Sequence, residues 1–407
     1  MRPFRILLTS FSFSTLADGL TAVLLPLMAA AASRSPLDVA LVSVGRALPW
    51  TLLAPVVGVW VERVSVRTVL LWASACRMAV LGSLLLVLAA SGPRIPALVV
   101  AAAALGVLEA FYEVAAQSST PSMVGPDGLV AANAKLTATE LIMRSFLGPS
   151  AAGVVAALSL LTVTGAGAAL YGVTALVMLA LPAIPAAASG PRRDIRGEVV
   201  EGMRFLRRDP LLVRFVAMTA CSAVAYAGWM PVFTLYALAP GPVGLTGAGF
   251  GLAMSAASLG GLAATALTPR LPDRLAPMRV LTGTVVLGTL ALAVPVVTAR
   301  PVPNACALMV YSASVVTWNI ITVSYRQRAA PAGMLGRINA SYRALAWFLV
   351  PLGPLVSGLV GTLLGLRAAL LLCAAVSGAA LFFVPGTLRN AGALNRSAPR
   401  KDIHDLV

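Results

Sequence analysis

The sequence predicts an all-α membrane protein with twelve transmembrane helices in two pseudo-symmetric six-helix bundles. Of the 407 residues, 59% are apolar and only 11% are charged, too few charges to cover the surface of a water-soluble domain. The apolar stretches have the length, about 20 residues, that a helix needs to cross hydrocarbon. Strands of a membrane barrel would instead give shorter alternating segments. Basic residues collect in alternate connections, as in polytopic helical proteins.

The apolar stretches define the predicted spans: 4–31, 38–61, 68–90, 95–120, 135–160, 165–187, 211–238, 246–268, 278–298, 302–325, 338–361 and 366–386. They divide the chain into four parts: an N-terminal six-helix bundle (1–188), a cytoplasmic amphipathic linker (189–210), a C-terminal six-helix bundle (211–388) and a polar cytoplasmic tail (389–407). The linker is predicted to be a surface helix because apolar residues recur at helical spacing among charged neighbours: Val199, Val200, Met203 and Leu206.

The distribution of positive charge predicts the orientation of the chain. With both termini in the cytoplasm, 22 basic residues lie in cytoplasmic segments and 4 in outer loops. This bias accounts for the net charge of +16 without nucleic acid as a partner. The excess of Arg over Lys, 28 to 2, suggests a bacterium with a GC-rich genome. We therefore expect a multi-pass protein of the bacterial plasma (inner) membrane, surrounded by the lipid bilayer and functional as a monomer.

The sequence lacks the residue patterns of several kinds of site. The four cysteines fall inside predicted spans without paired spacing, so neither a disulfide framework nor a zinc site is indicated. The two lysines, Lys135 and Lys401, do not belong to a phosphate-binding loop, and the single histidine, His404, lies in the tail. We expect no cofactor, no metal and no enzymatic activity.

The two halves of the sequence repeat each other. Asn133 and Asn339 stand early in the fifth helix of their halves. A Gly-Pro-x-x-x-Gly pattern follows in both, at 148–153 and at 353–358. Two six-helix repeats joined by a surface link are typical of secondary transporters with a site at the interface of the halves.

Four acidic residues lie inside predicted spans, and each would cost about 2.5–3.5 kcal/mol at the bilayer centre without a partner, a proton or a wet cavity. Glu109 and Glu113 are four residues apart on one helical face, where like charges oppose joint ionisation. One of them is a candidate proton carrier, and Asp18 is the other coupling candidate; the alternative is a structural carboxyl. The fourth acid, Glu140, is a further coupling candidate, and its position four residues before Arg144 predicts an ion pair.

Span seven carries an aromatic face, spaced three, four and three residues apart: Tyr226, Trp229, Phe233 and Tyr236. Such a face suits a flat apolar or cationic ligand in a substrate cavity, although aromatic stripes also serve as packing or interface anchors. Weaker cavity candidates lie in spans one and ten: Phe11, Ser14, Trp318 and Asn319.

The connection between spans two and three resembles the cytoplasmic loop motif of the major facilitator superfamily, Gly-x-x-x-Asp-Arg-x-Gly-Arg-Lys. The resemblance implies a gate that stabilises the outward-facing state, formed by Gly58, Glu62, Arg63 and Arg67. This sequence has Glu in place of Asp, Ser65 in place of the second Gly and Val66 in place of a basic residue. As an alternative, the arginines act only as topology signals.

A second motif in span five, Gly148-Pro149-x-x-x-Gly153, resembles the antiporter motif of drug exporters in that superfamily. Packing of small residues is the alternative explanation. Segments 201–210 and 336–343 resemble bacterial drug and siderophore exporters related to the enterobactin exporter and macrolide efflux proteins. The resemblance implies the major facilitator fold and efflux of a hydrophobic or amphipathic small molecule, driven by protons. An importer, a uniporter, a lysophospholipid flippase of the same fold or a non-transporting sensor remain alternatives.

Overall fold

A computed structural model describes residues 2–61, 64–156, 159–182, 195–268, 277–331 and 334–389. These ranges are almost entirely helical. The helices are α1 (Arg2–Ala32), α2 (Pro36–Val61), α3 (Val66–Ser91), α4 (Ile95–Glu140), a π-helix (Leu141–Leu147), α5 (Gly148–Ala156), α6 (Leu160–Leu179), α7 (Ile195–Arg208), α8 (Pro210–Ala237), α9 (Gly247–Leu267), α10 (Pro277–Val297), α11 (Pro301–Ala329), α12 (Leu335–Trp347), α13 (Leu352–Leu364), α14 (Leu366–Gly378) and α15 (Val384–Arg389). Ten helical runs in the described ranges are long and apolar enough to cross a membrane.

The fourth and fifth predicted spans share one continuous helical assignment, α4, which extends from Ile95 to Glu140. A straight helix would hold Glu109 and Arg144 about 52 Å apart, at 1.5 Å per residue. Their side chains nevertheless form an ion pair, so the chain reverses direction between them. The last part of α4, the π-helix and α5 therefore make up the fifth span. The helix α2 has 26 residues and reaches about 39 Å, so it is also long enough to cross a membrane. Adding α2 and this fifth span to the ten helical runs gives twelve spans.

The two halves use the same helix pairing at their Gly-Pro motifs. In the first half, a Cβ atom at Gly148 of α5 would lie 2.7 Å from the Cα of Gly19 in α1. In the second half, a Cβ atom at Gly228 of α8 would lie 2.6 Å from the carbonyl oxygen of Gly353 in α13. Each motif thus brings the fifth span of its half against the first by backbone-to-backbone packing, which larger side chains would prevent.

The halves meet at one end of the molecule. Gly153 of α5 and Gly251 of α9 pack backbone to backbone across the interface. Arg34 Nη2 donates to the carbonyl oxygen of Ala239 at 2.7 Å. These contacts lie toward the connections that the charge bias assigns to the outside of the cell. Together they close the interface at that end.

At the opposite end, two described hydrogen bonds of basic side chains join segments of the same half, and a third, from Arg337 to Glu201, joins the second half to the linker. Arg67 Nη2 donates to Leu179 O at 2.9 Å in the first half, and Arg214 Nη1 donates to Gly386 O at 2.6 Å in the second. With the predicted orientation, this is an arrangement closed to the outside and facing inward.

Replacing Gly153 with Leu should open the closed end. The new side chain would collide with the Gly251 backbone, and helices without such glycine contacts pack with their axes roughly 8–10 Å apart. We expect the distance between spin labels at the exposed positions Arg94 and Arg300 to be longer than in the parent protein. The distance is measured by double electron–electron resonance in a background without the four native cysteines. Gly82→Leu is the control, because a Cβ there meets nothing within 4 Å. Equal distances in both variants would contradict the role of this contact.

Candidate functional site

Seven charged side chains meet inside the first half, and together we call them the charge cluster: Asp18, Arg46, Arg77, Glu109, Glu113, Glu140 and Arg144. They come from α1, α2, α3, α4 and the π-helix, and α6 adds the hydroxyl of Tyr171. All six spans of this half therefore contribute. Charges at this depth require partners because the bilayer interior solvates them poorly.

Asp18 lies at the centre of the cluster and is only 2% exposed. Its Oδ1 accepts from Arg77 Nη1 at 3.0 Å and from the Tyr171 hydroxyl at 2.6 Å, and its Oδ2 lies 3.3 Å from Arg144 Nη2. Arg77 is fully buried, with its Cζ 4.5 Å and 4.6 Å from the ring centroids of Tyr112 and Tyr171. Both charges are thus removed from solvent and compensated by each other and by the ring faces.

Arg144 connects the remaining carboxyl groups. Its Nη1 lies 2.8 Å from Glu113 Oε1 and 3.5 Å from Glu140 Oε1, while its Nη2 bonds to Glu109 Oε1. Glu109 also accepts from Arg46 Nη2 at 2.9 Å. With the contact to Asp18, the Arg144 guanidinium reaches four carboxyl groups. The position of this guanidinium therefore decides which carboxylate charges it compensates.

The π-helix places Arg144 in the cluster. The amide of Gly148 donates to the carbonyl oxygen of Met143, five residues back, which widens this turn. Pro149 has no amide hydrogen and its ring crowds the carbonyl four residues back, so a regular turn is disfavoured here. On the facing helix, a Cβ at Gly19 would overlap the Arg144 backbone. The glycine lets α1 come close enough for Arg144 to reach Asp18.

The cluster has a dry side and an open side. Asp18, Glu109 and Glu113 are buried. The side chains of Arg144 and Glu140, in contrast, are 25% and 29% exposed. The buried carboxyl groups are therefore connected to the surface of the first half through Arg144 and Glu140, and Glu109 also through Arg46, whose side chain is 18% exposed.

Comparison with known families decides what kind of protein this is. The family model described as "Major Facilitator Superfamily" matches residues 7–351. The chain belongs to the Major Facilitator Superfamily. It is therefore a multi-pass transporter of the alternating-access type, and the predicted fold class is confirmed. No sequence match to a curated protein was found.

Solved structures of superfamily transporters are similar over nearly the whole chain. The nucleoside transporter NupG has a TM-score of 0.70 at 16% identity, covering 95% of this chain and 99% of that chain. A bacterial homolog of the human lysosomal transporter Spinster, inward-facing and unoccupied, has a TM-score of 0.67 at 13% identity, covering 94% and 95%. A bacterial homologue of the iron transporter ferroportin in an inward-facing state has a TM-score of 0.64 at 16% identity, covering 93% and 98%. At these identities the similarity shows the fold alone, without distinguishing a drug or siderophore branch.

The structure brings all four predicted intramembrane acids of this superfamily member into one site, together with Arg144. Arg144 lies within ion-pair distance of Glu140, as the spacing predicts, but it is shared with three other carboxyl groups. Sequence reasoning gave no role to Arg46 or Arg77. The available signal was their position inside predicted spans, since an arginine there needs a partner as much as an acid does.

The aromatic face of α8 is mostly packed into the second half in this conformation. Trp229, Phe233 and Tyr236 are buried, and the first two rings stack with centroids 4.1 Å apart. Trp229 Nε1 donates to Leu292 O at 3.0 Å. Tyr226 is the half-buried member of the face.

The weaker cavity candidates occupy different environments. Phe11 is buried and stacks on Tyr112, with ring centroids 6.5 Å apart. Trp318 is buried and its Nε1 donates to Thr219 Oγ1 at 3.1 Å, whereas the neighbouring Asn319 is exposed. Asn319 is thus accessible in this conformation, and the two rings are not.

The predicted gating motif is described in part. Gly58 lies within α2, and Arg67 donates to Leu179 O at the C-terminal end of α6, where a positive charge is favoured by the helix dipole. Glu62 and Arg63 lie outside the described residues.

Removing one partner of the Asp18–Arg77 pair should destabilise the protein by up to about 3–5 kcal/mol, because the other charge stays buried without its main partner. Thermal melting in detergent should show this for Arg77→Met. The double variant Asp18→Asn/Arg77→Met should lose less than the two single losses added together. Arg94→Met, at an exposed arginine, is the control. A melting temperature of Arg77→Met equal to that of the control would contradict the structural role of this pair.

Proposed function

We propose that the chain is a secondary active transporter that exports a hydrophobic or amphipathic small molecule, such as a drug, a secondary metabolite or a siderophore, by proton antiport. It would act as a monomer in the bacterial plasma (inner) membrane, with both termini in the cytoplasm. The charge cluster is the observation that carries this proposal, because it places several carboxyl groups in the middle of a transporter bundle with an exposed edge. Intramembrane acids in such bundles mark proton pathways.

The composition of the charge cluster supports coupling to one proton. It contains four carboxyl groups and three guanidinium groups, so it carries one excess negative charge when every group is ionised. Arginine does not lose its proton in proteins. A net charge is costly in a medium of low dielectric constant, so the neutral form of the cluster holds one proton. Uptake and release of that proton change the cluster charge by one.

Among the four acids, we assign the proton to Glu113. Asp18 accepts from Tyr171 and faces two arginines, and Glu109 likewise faces two. Glu140 is less buried than the other three, with 29% of its side chain exposed. Glu113 is buried and shares Arg144 with three other carboxyl groups. It stands four residues from Glu109 on the same helical face, where two ionised carboxylates oppose each other.

The fifth span offers a physical link between the proton and the closed end of the interface. Arg144 contacts the carboxyl groups, and Gly153, nine residues later or about 13 Å along the helix, packs against Gly251 of the other half. A change in the charge around Arg144 therefore acts on the helix that closes the interface. The membrane potential adds about 2.3 kcal/mol per charge per 100 mV to the driving force.

The direction of transport and the substrate class rest on resemblance. The Gly148-Pro149 motif is similar to that of antiporters, and segments 201–210 and 336–343 are similar to those of drug and siderophore exporters. The similarity to NupG, a nucleoside transporter, leaves an importer or a uniporter as the alternative, and a lysophospholipid flippase has the same fold. A non-transporting sensor would bind a ligand without moving it across a liposome membrane. Opposed fluxes of protons and substrate in vesicles separate antiport from these.

Glu113→Gln should abolish uphill export while downhill exchange continues, because the amide cannot release a proton. The assay uses proteoliposomes under an imposed pH gradient and three fluorescent compounds: ethidium, N-phenyl-1-naphthylamine and 1-anilinonaphthalene-8-sulfonate. We expect at least a tenfold loss of uphill rate for the compounds that the wild type pumps.

The matched control is Glu201→Gln, at an exposed glutamate that pairs with Arg337 at 2.6 Å. It should pump like the wild type. Uphill export by Glu113→Gln at the wild-type rate would refute the assignment of the proton, and a wild type without substrate-dependent proton flux would refute antiport.

The charge count also predicts the proton stoichiometry. With the membrane potential clamped at zero, one proton per substrate molecule gives a limiting substrate gradient of about tenfold per pH unit, since one pH unit is worth about 1.4 kcal/mol per proton. Two protons would give about a hundredfold. The steady-state substrate ratio in proteoliposomes at a gradient of one pH unit decides between them, and a ratio well above tenfold would show that more than one group in the protein carries protons.

A further inference from the structure

The second half contains a buried arginine whose N–H groups are not all used. Arg326 lies in the last turn of α11 and is 8% exposed. Its Cζ lies 3.8 Å from the ring centroid of Tyr342 in α12. Among the described residues, its Nε and Nη1 have no hydrogen-bond acceptor. A buried charged donor without an acceptor is costly, so this position favours an anionic partner.

The two halves differ in the number of acidic residues available to pair with buried arginines. There, Arg46, Arg77 and Arg144 all face carboxylates inside the bundle. From Leu211 to Arg389 the sequence has a single acidic residue, Asp273, which lies outside the described residues. The first half therefore pairs its buried arginines with its own acids, whereas the sequence of the second half offers Asp273 alone for this purpose.

Asp209, an acid that contacts α11, is already used. Asp209, which precedes α8, accepts from the Tyr325 hydroxyl at 2.9 Å through Oδ2 and caps α8 by accepting from Leu211 N at 2.8 Å through Oδ1. Tyr325 precedes Arg326 in α11, and the side chains of consecutive helical residues point in directions about 100° apart. A second arginine, Arg343, follows Tyr342 directly. Positive charge thus predominates around Tyr342.

The surroundings of Arg326 are aromatic. Phe215 packs edge-on against Trp318 and Tyr325, with ring centroids 5.7 Å apart in each pair. The Tyr342 hydroxyl donates to Phe215 O at 3.0 Å, which fixes the ring that lies beneath the guanidinium. Such apolar neighbours exclude water, and a hydrogen bond between charged groups is stronger in their presence.

We propose that Arg326 binds an oxyanion group, a carboxylate or its equivalent, on the transported molecule. Guanidinium N–H groups match the oxygens of carboxylates in geometry and charge. The substrate is then an amphipathic anion or zwitterion. The first half binds the proton, and the second half binds the anionic group of the substrate. This inference rests on the proposed function, which makes the bound anion a transported molecule. Arg326 lies at the predicted cytoplasmic end of the molecule, opposite the end where Gly153 and Gly251 close the interface.

The test measures binding of 2-naphthoate and its neutral analogue 2-naphthamide to the full-length protein in lipid nanodiscs, by calorimetry at pH 7, with empty nanodiscs subtracted. We expect naphthoate to bind at least tenfold more tightly than naphthamide. Arg326→Gln should remove this preference, and Arg326→Lys should weaken it because the charge remains but fewer donors do. Arg300→Gln is the matched control, at an exposed arginine at the other end of the same helix, and should keep the preference.

Equal binding of the two probes by the wild type would overturn the proposal, and so would an unchanged preference in Arg326→Gln. At least tenfold tighter naphthoate binding by Asp273→Asn would also overturn it, because Asp273 would then be the counter-ion of Arg326. If Arg326→Gln fails to give a monodisperse protein, an unchanged affinity in Arg326→Lys overturns it instead. No pH gradient is applied, so the result is independent of proton coupling. A clear naphthoate preference in a wild type that shows no proton-driven export would refute the proposed function and leave only the binding of an anionic group at Arg326 standing.

Discussion

The first half of the protein depends on the ion pair between Asp18 and Arg77. Both side chains are buried, and their removal from water costs several kcal/mol per ion, which only a close and well-bonded partner offsets. Because Asp18 lies on α1, Arg77 on α3 and Tyr171 on α6, this one group of contacts fixes the rotation and register of three spans. A shift of any of them would leave a charge unpaired in the membrane. The first half is therefore expected to move as a unit when the transporter changes conformation.

The interface between the halves is built differently. Its closed end uses glycine packing, as at Gly153 and Gly251, and single hydrogen bonds, as between Arg34 and Ala239. Such contacts come apart without exposing a buried charge, so they suit a surface that must open and close in every cycle. Charge is concentrated where the structure stays fixed, and weak packing is used where it moves. This division lets a rigid bundle hold a proton-binding site and still take part in alternating access.

The fold was predictable from the sequence because the length of the apolar stretches and the bias of basic residues both follow from the bilayer. The details were less so. The sixth span was predicted over 165–187, but α6 covers Leu160–Leu179, since apolar composition does not show where a helix is capped; Ser159 caps it by accepting from Thr162 N. The pairing of Asp18 with Arg77 joins positions 59 residues apart and depends on helix rotation, which a helix that is apolar all round does not encode. The acids were therefore recognised individually, and their partners were not.

The π-helix joins these features. A π-turn is rare and is often found at functional sites, and here it lies where Gly148 bonds to Met143 and Pro149 follows. The four carboxyl groups around Arg144 stabilise the same turn from outside, since they hold its side chain over α1 and α4. Neutralising Glu109, Glu113 or Glu140 weakens this hold without breaking the Asp18–Arg77 pair. The protonation state of the charge cluster can therefore act on the geometry of the fifth span while the rest of the first half stays rigid.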